Sequence, residues 1–184
     1  MEDRKLPNIL VCGTPGTGKT ATSSALVEDE EMAASGVALR HIDVSEFVKA
    51  NGFHEGFDEV RKCYIIDEDK LCDELESLMG AGGIVLDTHS MIDYFPERWF
   101  DLVVVLTSDN TVLYDRLAKR GYDQNKVSEN VQCEIMQVVR AEAQQSYPAE
   151  IVQILKSDTL DELETNVANM KAWVAAWIRD NSQL

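Results

Sequence analysis

The chain has 184 residues, 45% of them apolar and 27% charged, enough for one domain with a substantial core and too few for two ordinary ones. With 33 acidic residues against 17 basic ones the net charge is −16, a field that repels bare nucleic acid and suits a basic protein as any macromolecular partner. No apolar run reaches the roughly 18 to 20 residues that cross a bilayer, and the charged start at residues 1–7 is no secretory leader, so an intracellular protein without membrane association is expected.

The pattern alternates between short apolar runs and helical stretches. Residues 8–12 read as a buried strand, 19–29 as a helix, and 37–42 as a weaker strand. A helix start follows, with Asp43 or Ser45 able to cap it. Residues 67–79 carry apolar side chains at helical spacing and stop at Gly80-Ala-Gly-Gly83. The continuous apolar runs 84–86 and 102–106 have the character of strands covered on both faces. A helix over 110–119, a polar segment, a long helix over 129–146, a strand over 151–155 and an amphipathic helix over 158–179 complete the chain, the last with Trp173 and Trp177 on one face. Strands alternating with helices predict one α/β domain around a mostly parallel five-stranded sheet. Two polar segments with glycines, 51–64 and 121–130, fit the core pattern poorly and belong on the surface. An acidic stretch at 28–31 reads as a loop.

Cys12, Cys63, Cys72 and Cys133 stand far apart with no C-x-x-C pair, and His41, His54 and His89 complete no zinc spacing. Four reduced, mostly buried thiols are the simplest reading.

Gly13-Thr-Pro-Gly-Thr-Gly-Lys19-Thr20 matches G-x-x-x-x-G-K-[ST], and it sits where the mechanism requires, between an apolar strand and a helix. Gly13, Gly16 and Gly18 let the backbone around Thr17 turn its N–H groups toward a phosphate, and the helix dipole adds positive potential. Lys19 reaches the β- and γ-phosphates and the Thr20 hydroxyl binds Mg²⁺. Asp87, closing the run 83–87, has the place of the carboxylate that faces the metal, through water, although a strand-end cap has the same form. His89 faces the same crevice, either to orient water or phosphate or as a structural histidine. Arg116 and Arg120 share a helix face beside the polar segment, as expected of a lid that closes over ATP, and equally of a solvated helix end. Arg98 is a second phosphate candidate that can also stack on Trp99 or pair with Glu97. Lys49 and Arg61 are the cations available for a second nucleotide's phosphate.

Taken together, the P-loop, Asp87-Thr-His89, Phe95-Pro-Glu-Arg-Trp-Phe100, Leu113-Tyr-Asp-Arg-Leu117, Arg120-Gly-Tyr122 and Asn130-Val-Gln-Cys-Glu-Ile135 resemble the adenylate kinase isoenzyme 6 family. The resemblance runs from residue 7 to about 178. It implies a P-loop NTPase of nucleoside-monophosphate-kinase type, a three-layer sandwich with strand order 2-3-1-4-5, an AMP-binding insertion near 43–66 and a short lid near 119–129. It implies ATP contacts from Gly16, Gly18, Lys19, Thr20, Ala21 and Arg120, reversible transfer from Mg-ATP to AMP with broad nucleotide tolerance, and ATP hydrolysis. It further implies a monomer in nucleus and cytoplasm, engaged in small-subunit ribosome biogenesis and rRNA processing beside a basic ribosomal protein. Two departures stand out: Lys49 where the family usually has arginine, which removes a planar two-pronged contact, and Ala21 in place of a second hydroxyl. An ATP-dependent assembly factor is the alternative to a kinase, and a shikimate-type metabolite kinase is a third option that the 95–100 string disfavours.

Overall fold

The computed structural model describes residues 4–59, 63–89 and 92–181. Five parallel strands, β1 (Ile9–Cys12), β2 (Arg40–Asp43), β5 (Ile84–Thr88), β6 (Leu102–Thr107) and β7 (Val152–Lys156), form one sheet in the spatial order β2-β5-β1-β6-β7. Counting only the strands of this sheet, that is the expected order 2-3-1-4-5.

Burial follows from the two-residue period of a strand. Leu10, Cys12, Leu86, Val103 and Val105 point into a core closed by α3 (Val44–Asn51), α4 (Glu68–Ala81) and α7 (Val138–Ser146). Ile9, Val11, Val85, Val104 and Leu106 point to the other face, under α1 (Lys19–Val27), α2 (Glu30–Ala34) and α8 (Leu160–Asn181). Both cores draw on the same continuous apolar runs, which is why those runs show no alternation. Trp173 packs into the second core. A small third cluster, Leu113, Leu117 and Val127, joins α5 (Asn110–Lys119) to α6 (Gln124–Ile135) at the carboxyl end of the sheet.

Several sequence expectations need correction. The weak strand begins at Arg40 rather than residue 37, because Val37 packs with the second core below the sheet edge. The acidic stretch is no loop: Asp29 caps α2, and Lys171 of α8 bonds to both Asp29 and Glu31. Polar segment 51–64 contains an antiparallel hairpin, β3 (His54–Asp58) with β4 (Cys63–Ile66). The second polar segment is mostly helix, since Asp123 caps α6 and only a turn at 120–123 separates it from α5. The long helix over 129–146 is broken in two at Gln137, a non-glycine residue at φ 55°. Cys12 is buried, Cys72 half-buried and Cys133 exposed, so the thiols are less uniformly buried than expected; the Cys63 side chain lies outside the described residues. Among the described residues no helix is long and apolar enough to cross a membrane.

One buried polar side chain ties the amino end of the sheet together. Asn8 donates to the carbonyls of Met79 and Trp99 and accepts from the Ile84 N–H, so it joins β1, α4, β5 and the turn before β6. Replacing it by alanine strands all three partners in a dry site, each costing on the order of 1–3 kcal/mol before relaxation. Asn8→Ala should therefore lower unfolding free energy by roughly 3 kcal/mol, read from the urea midpoint at unchanged m-value.

Candidate functional site: the crevice at the carboxyl end of the sheet

The loop between β1 and α1 is shaped by what stands behind it. Gly13, Gly16 and Gly18 have φ of 153°, 97° and 96°. A Cβ on Gly13 would stand 2.5 Å from the Leu106 carbonyl oxygen, and one on Gly16 would stand 2.8 Å from Leu113 Cδ1. Thr17 closes the turn by donating both its N–H and its hydroxyl to the Thr14 carbonyl, at 3.2 and 2.9 Å. Gly18 is the N-cap of α1 and supplies no side-chain acceptor, so the first N–H groups of the helix, including those of Lys19, Thr20 and Ala21, are left for a ligand.

Parallel register brings the remaining groups alongside. Asp87 lies opposite Val11 on one side and Asp43 on the other. Its carboxylate, 2% exposed, accepts the Thr20 hydroxyl at 2.6 Å. His41 of β2 stands behind it, with Nε2 3.4 Å from the same Asp87 oxygen and Nδ1 3.4 Å from the Ser24 hydroxyl. Lys19 folds back to the Thr14 carbonyl at 3.4 Å. Burial holds its pKa below the ordinary lysine value, with Asp87 and Asp43 opposing the shift and Arg120 adding to it. Arg120 of the lid turn therefore lies within electrostatic range of the P-loop lysine. Burial also pushes the Cys12 thiol up to about 12, which keeps it a neutral neighbour of the loop.

His89 is exposed at the crevice mouth, yet the protein around it holds its pKa below the ordinary value through desolvation. The charges of Lys19 and Lys126 push the same way, while Asp43 and Asp87 oppose them. Lys126, in the first turn of α6, lies over the Tyr122 ring at 4.8 Å from its centroid. The lid thus brings a second cation, one not singled out from the sequence.

The remaining arginines have other places. Arg116 donates to the carbonyls of Gly16, Ser157 and Asp158 and to the Ser108 hydroxyl, so it braces the P-loop from behind instead of facing the crevice. Arg98 pairs with Glu76 through one nitrogen, Nη2, which lies 2.8 Å from both carboxylate oxygens, in the turn leading to the amino end of β6. The phosphate crevice is at the other end of that parallel strand, so the structure does not bring Arg98 to it. Lys49 is exposed in the last turn of α3, with no hydrogen bond or ion pair to the described residues. Arg61 lies outside the described residues.

Sequence reasoning missed Glu134. This buried residue accepts the Thr14 hydroxyl at 2.5 Å and the Ser108 N–H at 2.8 Å. It lies within Asn130-Val-Gln-Cys-Glu-Ile135, but its partners are 120 and 26 positions away.

Comparison with known proteins fits this geometry. A family model described as an AAA domain matches residues 9–137. The adenylate kinase isoenzyme 6 homolog of Dictyostelium discoideum is 48% identical over 179 residues, covering 97% of this chain and 98% of that protein. The homolog of Schizosaccharomyces pombe is 42% identical over 180 residues, with 98% of each covered. That of Saccharomyces cerevisiae is 44% identical over 182 residues, covering 98% of this chain and 89% of its own. Among solved structures, a shikimate kinase from Bacteroides thetaiotaomicron superposes with a TM-score of 0.59 at 16% identity, over 92% of this chain and 99% of that one. That likeness speaks for the fold alone.

The depressed pKa of His89 has a direct test. Because the folded value lies below the unfolded one, the ring is neutral at pH 7 and gains its proton only as pH falls beneath the ordinary 6.5. The linked stability is present above 6.5 and is lost as pH falls through the folded pKa. An NMR titration of the His89 ring should show a midpoint below 6.5, and Lys19→Met should move it upward by removing one of the two cations.

Proposed function

The chain belongs to the adenylate kinase isoenzyme 6 family of P-loop kinases, and from that premise we propose that it transfers the γ-phosphoryl group of Mg-ATP to AMP, tolerates other nucleoside monophosphates, and also hydrolyses ATP. The observation that carries this reading is the meeting of Thr20 and Asp87 at 2.6 Å beside Lys19, beneath a helix whose amino end is capped only by glycine. That is the donor set for a magnesium triphosphate: Thr20 would hold the ion directly and Asp87 through water. An ion held by these residues would supply positive charge against the negative charge that develops on the transferred group.

The side chains then have separate tasks. Loop and helix N–H groups hold the β- and γ-phosphates, and Lys19 places its charge between them. Arg120 and Lys126, on either side of the lid turn, add positive charge over the moving group when the lid closes, and closure excludes water. An oxygen of the acceptor's phosphate attacks the γ-phosphorus, the bond to the bridging oxygen breaks, and both nucleotides leave as ADP. With water as the acceptor the same site yields ADP and phosphate. The acceptor lies over the insertion formed by α3 and the β3–β4 hairpin, where Lys49 offers a point charge with no planar fork.

A coupled assay for ADP formed from ATP and AMP tests the reading. Wild type should turn over, and Lys19→Ala should lose roughly 10²–10³-fold in kcat, the scale for removing one preorganised charge. A protein that hydrolyses ATP and yet phosphorylates none of AMP, CMP or their deoxy forms would refute it. The net charge of −16 favours a second, compatible reading, in which ATP-driven closure alters affinity for a basic small-subunit ribosomal protein during ribosome biogenesis. Capture of that partner unchanged by ATP would rule the switch out.

A further inference from the structure

The two helices that flank the lid turn are each fastened to the P-loop by one charged side chain, and the two fastenings meet at one residue. From α5, Arg116 reaches the Gly16 carbonyl at 3.2 Å and the Ser108 hydroxyl at 3.3 Å. From the last turn of α6, Glu134 takes the Thr14 hydroxyl on one carboxylate oxygen and the Ser108 N–H on the other. Glu134 is 5% exposed and Thr14 1%, so neither bond has water as an alternative partner. A carboxylate this close to a phosphate-binding loop repels the ligand through space. A residue that only filled the core would do so at less cost with a neutral side chain. Its two oxygens instead hold the segments that have to stay in register when a triphosphate binds: the turn after β1, the end of β6 and the helix that carries Lys126.

We infer that Glu134 is a positioning residue for ATP, acting through the Thr14 hydroxyl to hold the P-loop open and in register with the lid helix. This rests on the reading that ATP occupies the P-loop. It is separate from the donors that touch phosphate, since Glu134 meets the loop from behind. The bond is charge-assisted and dry, so its loss should weaken the loop's ligand by about tenfold.

Calorimetric titration with Mg-ATP, together with steady-state kinetics, tests it. Thr14→Val keeps the shape and removes the hydroxyl; it should raise the Kd and KM for ATP about tenfold while leaving KM for AMP within twofold. Thr14→Ser, which restores the hydroxyl, should return ATP affinity to near the wild-type value. Glu134→Ala, which also frees the Ser108 N–H, should weaken ATP binding at least as much as Thr14→Val, and the double variant should be no worse than Glu134→Ala alone, because the Thr14–Glu134 bond is already lost there. If Glu134→Ala does not fold, the valine–serine comparison decides by itself. ATP affinity unchanged in Thr14→Val, or left low in Thr14→Ser, overturns the inference alone. A wild-type protein that does not bind Mg-ATP overturns both it and the proposed function.

Discussion

The first N–H groups of α1 have to be kept free of any side chain, and much of the structure follows from that constraint. A helix start left without a partner normally recruits one, and this chain recruits aspartate repeatedly: Asp29, Asp43, Asp67, Asp109 and Asp123 cap α2 to α6 in turn. At α1 the cap is Gly18 in the left-handed region, which gives the turn its shape and offers no acceptor. A turn built from glycines is conformationally loose, so its rigidity has to come from its neighbours. Leu106, Leu113 and Leu117 close on it from the side, Arg116 grips the Gly16 carbonyl, and Glu134 grips Thr14.

The same constraint explains how so acidic a protein can receive a polyanion. Net charge acts over distance and is screened within about 10 Å at ordinary salt, whereas a phosphate in the crevice meets local potential. Aspartates cap the starts of α2 to α6, whereas the start of α1 is left uncancelled beside Lys19. The two carboxylates that act on Lys19, Asp87 and Asp43, are the groups expected near a divalent cation, so a metal triphosphate arrives partly neutralised. The lowered pKa of Lys19 and that of His89 both record the competition between burial and these charges.

What could be read in the sequence, and what could not, divides by range. The strands of the sheet and α5 were legible because each is written in a few consecutive residues: an apolar run with a break, or a cap followed by helical spacing. The P-loop was legible for the same reason. The β3–β4 hairpin was hidden because His54-Glu55-Gly56-Phe57-Asp58 has neither clean alternation nor a tight-turn signature, and a register shift interrupts its pairing. The break at Gln137 was hidden because no glycine or proline marks it. Arg98 shows the limit most plainly: next to Trp99 and Glu97 in sequence, it pairs with Glu76 on a different element. The spacing of Arg116 to Arg120 is visible in the sequence and points to a lid or a solvated helix end, while the carbonyls that hold Arg116, 100, 41 and 42 positions away, are not visible there. Ties of that length are matters of topology, and a local pattern holds no record of them.

The central place of β1 has a consequence for how the molecule is made. In chain order it precedes the other strands of the sheet, and its hydrogen-bonded partners among the described residues, β5 and β6, begin only at residues 84 and 102. Until both exist, the strand that leads into the P-loop is an apolar segment with two unpaired edges. The braces on the loop come later still, from Arg116, Glu134 and the carbonyl of Ser157. A nascent chain can therefore display the phosphate-binding sequence long before it possesses a phosphate-binding site. Such a long wait for distant contacts slows folding and exposes strand edges in the meantime.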